Sequence, residues 1–134
     1  MTSTAWIRIA EVAHRDPVVV APEMPLREVA AVMDRHGIGA VIVGSTKRAV
    51  GILSERDVVR VLARAADPSA VTAAGAMSSD LVSVRPGDSV YDAAVDMLDL
   101  GIRHVPVLDE EGCVVGMVSV RDLLRPLLLG TLDR

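Results

Sequence analysis

The chain has 134 residues, enough for one ordinary domain or for two very small units sharing one core. Its residues are 51% apolar and 24% charged, with a formal charge of −4, one Trp, one Tyr and no Phe. Binders of single-stranded nucleic acid need aromatic platforms and duplex binders need a basic surface, so this composition argues against nucleic acid as a partner.

In chain order, "MTSTAWIRIAEVAHRD" lacks the apolar core of a signal peptide and contains a short predicted helix near residues 8–13. "PVVVAP" (17–22) reads as a short strand ended by Pro22. "LREVAAVMDRHG" places Leu26, Val29, Ala30 and Met33 at helical spacing, with Gly37 as the stop. "AVIVG" and "AVGILS", joined by "STKR", form a strand–turn–strand signal, and a helix from Glu55 to about Ala65 follows. "AADPSA" (65–70) reads as a linker, followed by a second short helix near 72–77. "LVSVRP" (81–86) is the next predicted strand. "SVYDAAVDMLDLG" is a helix opened by a Ser89–Asp92 capping box and stopped by Gly101. "HVPVL", the turn "DEEG" and "CVVGMVS" make a second hairpin, and a last helix runs from Val120 to about Leu129. Pro126 is expected to kink or break that helix, because its ring meets the carbonyl of Asp122. The "PLLLGTL" tail (126–132) then offers exposed apolar contact. No apolar run reaches membrane-spanning length, so no membrane is expected as a partner and the expected compartment is cytoplasmic. Cys113, the sole cysteine, allows no intramolecular disulfide and reads as a buried, inert thiol entering a strand rather than a redox sensor.

The chain is one motif written twice. At a shift of 64, Asp16, Val18, Val20 and Pro22 fall on Asp80, Val82, Val84 and Pro86, and Gly37, Ile38, Val41 and Val43 fall on Gly101, Ile102, Val105 and Val107. After the turn the shift becomes 65, and residues 50–62 match 115–127 at seven of thirteen positions. A Val-rich composition explains matched valines but not Ser54, Arg56, Asp57 and Arg60 falling on Ser119, Arg121, Asp122 and Arg125. Each copy is β-α-β-β-α, 7–66 and 71–129, with 65–70 between them. Neither copy can bury its sheet and helices alone, so an α/β (α+β) fold with two pseudo-twofold-related motifs packed through their sheets is expected.

With "GIGAVIV…VGILSERD" and "GIRHVPVLDEEGCVVGMVSVRD", the chain resembles the tandem cystathionine β-synthase (CBS) domain pair, the Bateman module, over residues 7 to about 128. No catalytic or transporter domain accompanies the pair, so it looks like a stand-alone CBS-domain protein. The resemblance implies a regulatory module that binds adenosine derivatives in clefts between the two motifs, with the acidic residue of each G-h-h-S/T-x-x-D signature on the ribose. It also implies a homodimer formed through the motif helices, an interface that Pro126 puts in question.

Two readings of Ser54–Asp57 and Ser119–Asp122 stand side by side. Ser followed three residues later by an acidic residue is a capping-box spacing. The same helix start favours phosphate, an Arg adds a charge-assisted bond, and a carboxylate can accept both ribose hydroxyls. Ser54, Arg56, Asp57, Ser119, Arg121 and Asp122 are therefore ligand-binding candidates. The resemblance adds Pro17 and Val18, with Leu81 and Val82, as the matching positions for an adenine slot, although Val18 and Val82 are equally readable as core. It also adds Arg103 and His104, which stand where copy one has Gly39 and Ala40, as phosphate contacts that would make the two sites unequal. Arg103 as a solvated charge and His104 as a hydrogen-bonded strand residue is the competing view.

"DEEG" at 109–112 reads as a solvated turn rather than a Mg²⁺ site, and the three His show no metal-ligand spacing. No nucleophile, base and orienting group can be assembled, so no enzyme is expected. The expected function is a regulatory module binding AMP, ADP, ATP or a related ligand, with no required cofactor and with an unidentified protein partner reading its state. The alternative is a ligand-free structural or partner-binding homodimeric module.

Overall fold

The computed structural model describes residues 7–129; residues 130–132 of the predicted apolar tail lie outside them. In order the elements are α1 (Ile9–Val12), β1 (His14–Arg15), β2 (Val19–Val20), α2 (Leu26–His36), β3 (Ala40–Gly44), β4 (Ala49–Ser54) and α3 (Glu55–Arg64). A 3-10 turn (Pro68–Ala70) leads to α4 (Ala73–Ala76), α5 (Val90–Leu100), β5 (His104–Leu108), β6 (Val114–Ser119) and α6 (Val120–Leu129). Residues 17–81 make one compact unit, and residues 7–16 with 82–129 make the other.

In the first unit the sheet order is β2-β3-β4, with β2 parallel and β4 antiparallel to β3. Leu26, Val29 and Met33 form the buried stripe of α2, as their helical spacing predicts. Gly37 stops this helix at φ 63°, and the Ile38 N–H bonds back to the Met33 carbonyl, closing the end. β3 is buried along Ala40–Val43, consistent with a strand apolar at nearly every position. Ala73 and Ala76 of α4 complete the core with Val20, Val41, Val43 and Leu53.

The second unit repeats the hairpin and its helices, but its third strand joins the opposite edge of the hairpin. Its sheet order is β1-β6-β5, with both pairings antiparallel. Gly101 stops α5 at φ 68°, and Ile102 N–H bonds to the Met97 carbonyl. At the start of α5, Ser89 accepts from the Asp92 N–H at 3.4 Å. The two hairpins share a register and even an irregularity, at Val43/Gly44 and Val107/Leu108. Ile9 is fully buried with Val90, Met97, Val118 and Leu123. The short helix before each copy therefore packs into the core containing the other copy's hairpin: α1 with β6, and α4 with β4.

Two expectations are corrected. "LVSVRP" forms no strand, only a parallel bridge from Val84 to Val107. Arg85 N–H turns to the Asp88 carboxylate instead of a neighbouring strand, because the Pro86–Gly87 turn follows at once. Pro126 does not break the last helix, which continues to Leu129. The helix tolerates the missing hydrogen bond because its apolar face is held by packing: Leu123 and Pro126 are buried and Leu127 lies against the core. No helix among the described residues is long and apolar enough to cross a membrane.

Candidate functional site

Each predicted Ser-x-Arg-Asp set stands where the return strand of a hairpin becomes a helix. The β3–β4 register puts Ala40 directly across from Ser54, and the β5–β6 register puts His104 across from Ser119. Directly opposed residues are within side-chain reach, so copy two brings His104 beside the start of α6. The carbonyl of the preceding residue holds the helix start. Glu55 N–H bonds to the Gly39 carbonyl at 3.0 Å, and Val120 N–H bonds to the Arg103 carbonyl at 2.8 Å. The first amide of each helix is thus engaged before any anion arrives.

The serine and aspartate of each set are bonded to one another. Ser54 donates its N–H (2.8 Å) and its hydroxyl (3.1 Å) to Asp57 Oδ2. Ser119 donates its N–H to Asp122 Oδ2 at 2.8 Å, and its Oγ accepts from the Asp122 N–H at 3.2 Å. The capping geometry predicted from the spacing is present in both copies.

The remaining oxygen of each carboxylate faces a basic group. Asp57 is the one charged residue buried among the described residues, at 5% exposure, and its Oδ1 accepts from Arg60 Nη1 at 2.9 Å. Asp122 Oδ1 lies 2.9 Å from His14 Nε2; with the carboxylate ionised, that nitrogen carries the donated proton. Neither partner emerged from the motif alone. Arg60 had a local signal, since it follows Asp57 at helical i,i+3 spacing and recurs as Arg125. His14 had none, because it lies in another part of the chain.

Arg56 and Arg121 extend into solvent with no partner among the described residues, and Arg103 is exposed while His104 is half-buried. Pro17, Val18, Leu81 and Val82 are all half-buried. Val18 packs against the first core, and its carbonyl accepts from Ile42 N–H at 2.9 Å. Val82 packs against the second core. Asp109, Glu111 and Cys113 bring ligand-type atoms within 4.8 Å of one another. Asp109 Oδ1 already accepts from the Glu111 and Cys113 N–H groups, as in an ordinary polar turn.

The CBS domain family model matches residues 9–64 and again residues 71–129. The chain belongs to the CBS-domain family. This CBS pair is 34% identical over 131 residues to an uncharacterized protein of Methanopyrus kandleri, covering 95% of the chain and 67% of that relative. A CBS domain protein from Pyrobaculum aerophilum, solved in complex with AMP, superposes with a TM-score of 0.82 at 34% identity, over 92% of this chain and 97% of that one. A CBS-domain protein from Agrobacterium tumefaciens gives 0.84 at 27% identity, over 90% and 99% of the two chains. Both similarities extend across the two CBS motifs, and the α+β fold of paired motifs is theirs as well.

Proposed function

We propose that this CBS pair is a non-enzymatic regulatory module that binds AMP, ADP, ATP or a related adenosine ligand. The observation that carries this reading is the repeated helix start, where a shielded carboxylate stands beside an exposed arginine, Asp57 with Arg56 and Asp122 with Arg121. A carboxylate accepts the ribose hydroxyls and the arginine meets phosphate. Arg103 and His104 add positive or hydrogen-bonding capacity to copy two alone. Pro17 with Val18, and Leu81 with Val82, supply apolar surface for adenine. The AMP complex of the Pyrobaculum relative supports this ligand class. Binding shifts the geometry of the module or of its homodimer by no more than the ligand's differential affinity for the two states, and a protein partner reads the shift.

Thermal unfolding with AMP, ADP, ATP, NAD(H) and S-adenosylmethionine tests this. A ligand at about one hundred times its dissociation constant adds about 2.7 kcal/mol. Asp57→Ala and Asp122→Ala then report which copy is used, and equal losses would sink the unequal-site idea.

A second reading, a ligand-free homodimeric interaction module, draws on a different observation. Both carboxylates already have partners within the chain, and α3 and α6 present exposed Val59, Leu62, Leu124 and Leu128. No stabilisation by any of the five compounds favours this reading.

A further inference from the structure

This inference rests on the adenosine-ligand reading and concerns control of that same site. In both copies a basic side chain lies over the carboxylate that would accept the ribose, and the two covers differ. The Asp57 side chain is 7% exposed beneath an Arg60 side chain that is 45% exposed. The Asp122 side chain is 16% exposed beneath a His14 side chain that is 75% exposed. Each cover is more open to solvent than the carboxylate it holds, so a diol reaching Oδ1 competes with it.

The covers also arise from different places. Arg60 sits one turn further along the helix that carries Asp57. His14 sits on β1, paired with Met117 of β6. Its counterpart in the repeat is Ser78, which lies beside the copy-one hairpin and bridges Ile52 just as His14 faces Met117. The repeat therefore places a titratable side chain beside one carboxylate and a hydroxyl at the matching position of the other copy.

We propose that His14 is a pH-sensitive cover on the copy-two site. As an imidazolium it holds Asp122 Oδ1 against a ribose diol, and as a neutral imidazole it yields. Arg60 stays charged throughout, so the copy-one site has no such dependence. The ionisable side chains of the surrounding elements are Arg15 on β1, Asp16 just after it, Glu11 on α1, Tyr91, Asp92, Asp96 and Asp99 on α5, Arg103 and His104 at the start of β5, and Arg121, Asp122 and Arg125 on α6; β6 has none. Histidine is the side-chain type whose charge changes between about pH 5.5 and about pH 8, so the His14→Gln arm is what separates His14 from His104.

The test uses adenosine, which carries no phosphate and stays neutral over that range, with the full chain and calorimetry at about pH 5.5 and about pH 8. Asp57→Asn leaves copy two as the intact site and is expected to bind adenosine at least about twofold more weakly at the lower pH, a change calorimetry reads directly. Asp122→Asn leaves copy one and is expected to bind equally at both. His14→Gln, at an exposed position, is expected to retain binding and lose the pH dependence. PH dependence that survives in His14→Gln, or that appears equally in Asp122→Asn, overturns the proposal. A ligand-free double-mutant cycle of His14→Gln and Asp122→Asn, read by thermal unfolding, is expected to give a larger coupling at the lower pH. Zero coupling overturns the cover even where adenosine binds. If the unaltered chain binds neither adenosine nor AMP, the ligand reading falls and the gate with it, and a surviving coupling then marks the pair as structural.

Discussion

The α-carbon of Gly116 lies against the carbonyl of His14 so closely that a Cβ would sit 2.8 Å from that oxygen. The same contact recurs in the other unit, where a Cβ on Gly51 would meet the Ser78 carbonyl at 2.8 Å as well as the Met77 sulfur. The duplicated Val-Gly of the two return strands thus has one cause: the segment before the opposite copy crosses at that point. A backbone carbonyl cannot step aside as a flexible side chain can. Gly51→Ala and Gly116→Ala are each expected to cost about 1–3 kcal/mol in denaturant unfolding. A loss under a few tenths of a kcal/mol at both positions would contradict the close approach.

Gly37 is the contrasting case. A Cβ there meets nothing within 4 Å, but the backbone is left-handed at φ 63°. Gly37→Ala is expected to cost about 1 kcal/mol through conformation alone. Gly37→Asn should recover part of that loss, since Asn tolerates this region, whereas at Gly116 the Cβ of either residue meets the His14 carbonyl.

Much of this architecture is legible in the sequence because its determinants are local. The α2 and α5 stripes, their glycine stops and both hairpins follow from spacings within a dozen residues. The destinations of α1 and α4 do not, since nothing in "IAEV" or "AAGA" says which sheet will receive it. The candidate site divides in the same way. Ser54 and Asp57 are visible as a cap, and Arg60 is visible one turn on. His14 reaches Asp122 across a sequence separation that no periodic pattern spans. "LVSVRP" misleads because alternating valines signal a strand, while Asp88 captures the Arg85 amide.

The Asp57–Arg60 pair should matter more to stability than an ordinary surface ion pair. Its carboxylate is buried, so removing the guanidinium leaves a charge that water reaches poorly. Arg60 is itself nearly half exposed, which limits the effect. Arg60→Gln is expected to cost about 1–2 kcal/mol, and the double variant with Asp57→Asn less than the sum of the two singles. Additive losses in a urea-unfolding cycle would show that the pair is not coupled.

Pro126 is expected to be a net liability that packing tolerates. It lies inside α6, where proline supplies no N–H, and the matched residue of copy one is Val61. Pro126→Val keeps an apolar side chain in the buried position and restores a donor toward the Asp122 carbonyl. A gain of about 1–2 kcal/mol is expected, seen as a higher Tm. A lower Tm would mean that the proline ring fills its place better than valine can, and that packing outweighs the hydrogen bond.

The exposed apolar residues carry the last prediction, which bears on the proposed homodimer. Val59 and Leu62 on α3 are each 64% exposed, and Leu128 on α6 is 77% exposed. Single exposed leucines are ordinary, but neighbouring ones on one helix face mark a surface that gains by being covered. Leu62 and Leu128 each have most of their surface in water, so a charge at either place costs the folded chain little. The same charge buried in an interface is costly, because it loses water and gains no partner. Leu62→Glu and Leu128→Glu should therefore leave the Tm of dilute protein nearly unchanged while weakening self-association at least tenfold. Light scattering over a concentration series reads this directly. A chain that is already monomeric at high concentration, or a dimer indifferent to both charges, would rule out these helices as the interface.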